Sequence, residues 1–127
     1  MLIHHIDHIV LTCVDIAATK HFYGSVLQMQ LETFGNGRTA FRFGNQKINL
    51  HHRGHEFEPK AHLPVPGSLD LCFIANLSLD EVIKHLESCG WPIIEGPVER
   101  TGATQKIRSI YLRDPDLNLI EISEPIK

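Results

Sequence analysis

From Ile6 to Val14 the chain is mostly apolar and rich in β-branched residues, with Asp7, His8 and Thr12 as its polar positions. Asp7, Ile9, Leu11 and Cys13 share one parity and Ile6, His8, Val10 and Thr12 the other, which predicts a strand. Asp15 then offers an N-cap, and Phe22, Tyr23, Val26 and Leu27 recur at helical spacing. Gly35-Asn36-Gly37 signals a turn, Thr39 to Phe43 a short strand, Gly44-Asn45-Gln46 another turn, and Lys47 to His52 another strand. From Arg53 to Gly67 the chain is polar and contains Pro59, Pro64 and Pro66, which predicts a connection.

The pattern then restarts. Leu69 to Ala75 reads as an apolar strand. Ser78-Leu79-Asp80-Glu81 is a capping box, Leu79, Val82, Ile83 and Leu86 form a helical stripe, and Gly90 stops the helix. Pro92 to Glu95 is a short extended run, and Gly96-Pro97 marks a turn. A polar loop is expected over Glu99 to Gln105. Lys106 to Leu112 and Asn118 to Ser123 read as strands around an Asp114-Pro115-Asp116 turn. Strand, helix and about three strands therefore occur twice, an internal repeat. The halves register with His8-Ile9-Val10-Leu11 on Asp70-Leu71-Cys72-Phe73 and Ile48-Asn49-Leu50 on Ile120-Glu121-Ile122. The expected class is α+β, one domain over residues 1–127 built from a module at 1–58 and a module at 67–127.

Composition narrows the partners. The chain has 127 residues, 43% hydrophobic and 21% charged, with a formal net charge of -3. No basic block suggests a nucleic-acid surface, and no apolar run reaches the ~20 residues of a membrane span. The N-terminus lacks the pattern of a secretory signal. Three cysteines, Cys13, Cys72 and Cys89, show no CxxC spacing, and Cys13 and Cys72 lie in apolar runs. Buried thiols in a reducing cytoplasm are expected.

Registration of the repeat turns four polar residues into equivalents: His8, Asn49, Asp70 and Glu121. Polar residues in apolar strands need partners if buried. Together they form a mixed nitrogen and oxygen donor set that suits one divalent ion such as Fe, Mn, Ni, Co or Zn. Taken singly, each has an ordinary reading: a satisfied core histidine for His8, a solvent-facing strand residue for Asp70 and Glu121. His51 lies two residues beyond Asn49 on the same face and is a candidate acid, base or further ligand, or else a polar strand end beside His52 and His55. Ser109 and Tyr111 share a face of the penultimate strand, and their hydroxyls are candidate ligand contacts; a packed tyrosine is the plainer alternative.

The opening Asp7-His8-Ile9-Val10-Leu11, the Phe22-Tyr23 pair, and the ending Leu112-Arg113-Asp114-Pro115-Asp116-Leu117-Asn118-Leu119-Ile120-Glu121 resemble the vicinal-oxygen-chelate superfamily, which includes glyoxalases, bleomycin-resistance proteins and dioxygenases. Leu117 stands where that superfamily's turn has Gly. The resemblance implies paired βαβββ modules whose strands curl into a cup, metal positions at His8, Asn49, Asp70 and Glu121, a homodimer, and a small-molecule substrate. Asn49 replaces the Glu and Asp70 the His that glyoxalase I commonly has, so the implied activity is not specifically that of a lactoylglutathione lyase. The leading expectation is a metal-dependent enzyme that chelates adjacent oxygens of its substrate, by lyase or isomerase chemistry, with Glu121 as the base. The alternative is a metal-free protein that binds a drug-like molecule in the same fold.

Overall fold

A computed structural model describes all residues, 1–127. The chain divides into two compact units, Met1–Ser68 and Leu69–Lys127. Each is a four-stranded mixed sheet with its helix inserted after the first strand.

In the first unit, β1 (His8–Cys13) leads into α1 (Ile16–Lys20), and β2 (Gln30–Phe34), β3 (Arg38–Phe43) and β4 (Gln46–His52) follow. The sheet order is β1-β4-β3-β2, with β1 and β4 parallel and the other pairs antiparallel. Asp15 caps α1 by accepting from the Ala18 N–H at 3.0 Å. The helix continues as one wide π-helical stretch, His21–Val26, closed by the Leu27 N–H on the Phe22 carbonyl at 2.8 Å. The wider turn still buries Phe22, Tyr23 and Val26, and Tyr23 meets Phe41 with ring centroids 5.4 Å apart. Leu11, Phe41, Ile48 and Leu50 complete this core.

The second unit repeats the plan with β5 (Asp70–Ile74), α2 (Leu79–Ser88), β6 (Glu95–Thr101), β7 (Lys106–Arg113) and β8 (Leu119–Pro125), in sheet order β5-β8-β7-β6. Ser78 caps α2 by accepting from the Glu81 N–H at 3.2 Å, and Gly90 leaves the helix with φ 67°. Leu79, Leu86, Ile110, Leu112, Ile120 and Ile122 form the core. Arg108 lies on this helical face, bonded to Glu124 at 3.1 Å.

The remaining strand expected in the first half, for which no range was legible, is β2, and it pairs with β3 across the Gly35–Gly37 turn. Three expectations are corrected. Gly96-Pro97 is not a turn between elements but lies inside β6, where the register shifts between Glu95 and Val98. A proline is tolerated there because β6 is the sheet edge and an irregularity removes the need for its N–H. A Cβ on Gly96 would collide with the Ser109 carbonyl, so this close approach of β6 to β7 requires glycine. Because β6 runs to Thr101, the expected polar loop shortens to residues 102–105. Finally, the cysteines form no disulfide and Cys13 is buried, but Cys72 is exposed, since its parity points away from the helix.

Candidate functional site

The strand registers settle how the four repeat-related residues lie within each sheet. Val10 faces Asn49 across β1 and β4, and Cys72 faces Glu121 across β5 and β8. His8 therefore lies diagonal to Asn49, on the face turned away from α1. Asp70 lies diagonal to Glu121 on the corresponding face of the second unit. The first unit carries His8 and Asn49, and the second carries Asp70 and Glu121. Within neither unit does a group of three His, Cys, Asp or Glu side chains come close enough to hold a metal ion.

His8 is exposed, and its Nδ1 pairs with the Asp7 carboxylate at 2.8 Å. A carboxylate on one ring nitrogen orients the other, Nε2, for a ligand. Asn49 is only 5% exposed, and its Oδ1 has no hydrogen-bond partner. A buried amide oxygen without a partner is unusual and fits a weak ligand or a hydrogen-bond acceptor for bound substrate.

His51 is 2% exposed and opposes Thr12 across β1 and β4. Burial, then the neighbouring Arg38 guanidinium, lowers its pKa below the usual histidine value, against the opposing pull of Glu56 and Glu58. His52, of opposite parity, turns to the Val14 carbonyl and stacks on His55.

In the second unit, Glu121 is held by serines. Ser109 is fully buried and donates to the Glu121 carboxylate at 2.6 Å. Its Oγ lies 2.7 Å from the Ser123 Oγ, which in turn lies 3.4 Å from the Cys72 thiol. A carboxylate only accepts, so the Ser109 proton is committed to Glu121, and Ser123 donates to Ser109 at 2.7 Å or to the same Glu121 oxygen at 3.4 Å. Ser109 thus orients Glu121 from behind. The Cys72 thiol is pushed up mainly by desolvation, with the carboxylates of Glu121 and Asp70 adding to it.

A concavity of about 610 Å³ opens on this face. Its wall includes Glu121, Tyr111, Cys72 and Arg100, and the 102–105 loop forms one side. Arg100 donates to the Tyr111 hydroxyl at 3.0 Å, and its guanidinium lies 5.5 Å from the ring centroid. Having accepted from Arg100, the phenol keeps its own proton available for a ligand. Arg100 was not anticipated from the sequence. Its signal was only its position one strand from Tyr111.

The beginnings of β5 and β8 are tied together by the Asp114–Asn118 turn. Asp114 accepts from the Asp116 and Asn118 backbone N–H groups, each at 2.9 Å, and from the Asn118 amide at 2.7 Å. Asn118 then accepts from the Leu69 N–H at 2.8 Å. This network fixes Asp70 beside Glu121. Leu117 completes the turn at φ 69°, a left-handed conformation that glycine adopts without strain.

The match to known proteins spans nearly the whole chain. Residues 5–122 match the family model described as Glyoxalase/Bleomycin resistance protein/Dioxygenase superfamily. The chain is 56% identical to virulence protein STM3117 of Salmonella typhimurium, over 98% of this chain and 86% of that protein. The crystal structure of that protein superposes with a TM-score of 0.96, covering 99% of this chain and 100% of the other. Glyoxalase domain-containing protein RDO1 of Mycosarcoma maydis is 55% identical over 93% of this chain and 66% of its own length. An integron cassette protein from V. cholerae superposes with a TM-score of 0.95 at 56% identity, covering 98% of this chain and 97% of that one. With its two βαβββ units and this match, the chain belongs to the Glyoxalase/Bleomycin resistance protein/Dioxygenase superfamily.

Proposed function

We propose that this protein is a divalent-metal-dependent enzyme that acts on a small oxygenated molecule, by lyase or isomerase chemistry, with His8, Asp70 and Glu121 as the principal ligands and Asn49 as the weak fourth. The carrying observation is the state of the two residues at equivalent register positions. Asn49 is buried with an unused amide oxygen, and Glu121 stands at the concavity wall with one oxygen held by Ser109. The donors present, one imidazole, two carboxylates and one amide, fit an ion such as Fe, Mn, Ni, Co or Zn. When bound, the ion would supply Lewis acidity toward two adjacent substrate oxygens.

The chain's own groups do the rest. Glu121 stands at the concavity wall and is the candidate base, while Ser109 keeps the carboxylate from turning. Tyr111, held by Arg100, donates to a substrate oxygen within the concavity. His51 stands two residues from Asn49, where burial and Arg38 favour its neutral imidazole, a form able to relay a proton. A closer kinship to glyoxalase domain-containing protein 5, carried by Gln46–His51, Phe57–Ala61 and Pro64–Asp70, a cytoplasmic location and a homodimer belong to the same reading.

Metal analysis of protein purified without chelator tests it. About one divalent ion per chain is expected, with occupancy lost in His8→Ala and Glu121→Gln. Protein that carries no metal, and takes up none of the five ions, would instead be a metal-free binding protein.

A further inference from the structure

On the sheet face of the first unit that carries Asn49, two cations lack counter-ions. Arg38, Ala40 and Arg42 share this face on β3, and Lys47, Asn49 and His51 share it on β4, as the pairing of Ala40 with Asn49 and Arg42 with Lys47 requires. Arg42 is neutralised by a two-point ion pair with Glu32, at 2.9 and 3.0 Å. Arg38, four residues earlier on the same strand face, has no carboxylate within 4 Å, and neither has Lys47. Lys47 feels Glu32 and Asp7 only at longer range, and these pair with Arg42 and His8; near Arg38, Glu56 accepts from the Gly54 N–H at 3.0 Å and Glu58 pairs with Lys60.

Both cations crowd one ring. The Arg38 guanidinium lies 5.1 Å from the Phe34 centroid and 4.7 Å from that of Phe57, and the Lys47 ammonium lies 3.8 Å from Phe34. The rings fix the guanidinium without cancelling its charge.

The hydrogen bonding is also incomplete. Arg38 Nη2 lies 3.3 Å from His51 Nε2. A guanidinium can only donate, so His51 Nε2 is the acceptor and the ring proton sits on Nδ1. That Nδ1–H is buried with no partner, and so is Arg38 Nε–H. One hydrogen-bonded pair thus holds two buried N–H donors without an acceptor, beside a second cation. Native structures rarely leave such donors unmet.

We infer that this face holds a small anion, a carboxylate or phosphate group, anchored by Arg38, with the His51 ring N–H and Lys47 as further contacts. As a subsite for the substrate, it rests on the proposed function and makes that substrate a small oxygenated acid. The unused Asn49 oxygen would accept from a hydroxyl of the same molecule.

Inorganic phosphate and malonate, titrated separately into the full-length protein at matched ionic strength with chloride as control, test the inference. The titrations are run on protein as purified and after its metal has been removed and the chelator dialysed away. Heat and the His51 ring resonances are the readouts. Saturable binding of at least one probe, with a shift of His51, is expected in both preparations. Arg38→Met should weaken it at least about tenfold and Arg38→Lys less, because a charge-assisted fork is lost in the first and only degraded in the second. If Arg38→Met does not fold, Lys47→Met must show a several-fold loss. The preferred probe tells a phosphate monoester from a carboxylic acid. Binding no better than chloride, or undiminished in the folded variants, overturns the inference. Absence of metal from the purified protein would defeat the proposed enzyme while leaving these titrations intact.

Discussion

Ser109 lies behind Glu121 rather than on the concavity wall. The sequence placed its hydroxyl toward substrate. In the structure it is fully buried, with its proton committed to Glu121. Replacing it with alanine should leave the carboxylate free to rotate. Partners behind a metal ligand are worth about 10–100-fold in metal affinity, so Ser109→Ala should weaken metal binding by about tenfold or more in a competition titration. Thermal stability should fall by only about 1 kcal/mol. Tyr111 is the opposite case: on the same sheet face its side chain lines the concavity, and Arg100 on the neighbouring strand leaves its proton to donate. Parity was enough to place both side chains on that face. It could not say which hydroxyl was already spoken for, because that depends on Ser123 and Glu121 across the strand.

Among the elements, α2 was fully legible. Its N-cap serine, apolar stripe and terminal glycine are local signals, and each does in the structure what its chemistry dictates. The strand β2 was not, since Gln30–Phe34 gains its order from pairing with β3. Likewise β6 hides a glycine and a proline that read locally as a turn, because only the edge position and register shift make them admissible. The Asp114–Asn118 turn offers a direct test of local strain. Leu117 is 66% exposed and adopts φ 69°, where a side chain costs roughly 1–2 kcal/mol. The Leu117→Gly variant should therefore be more stable, by about 1 kcal/mol after the added freedom of the unfolded chain, as a higher midpoint in chemical denaturation. An unchanged or lower midpoint would show that the turn is not strained at this residue.

In each unit, the sheet face turned away from its helix carries apolar as well as polar positions. Val10 is 41% exposed beside Asn49, and Ile74 is 57% exposed on the edge strand of the second unit. Strand faces of this kind are suited to association. A homodimer of about twice 14.4 kDa is expected in sedimentation or light scattering; a monomer at micromolar concentration would refute it. No helix is long and apolar enough to cross a membrane. The sequence by itself determined the repeat, the α+β class and the face on which every candidate residue lies, because strand parity and helix capping are written in neighbouring residues. Tertiary structure alone decided which polar groups are satisfied. Arg42 meets Glu32 and Glu121 meets Ser109, whereas Arg38, Asn49 and His51 keep unused atoms, since hydrogen-bond partners are chosen across strands that the sequence holds far apart.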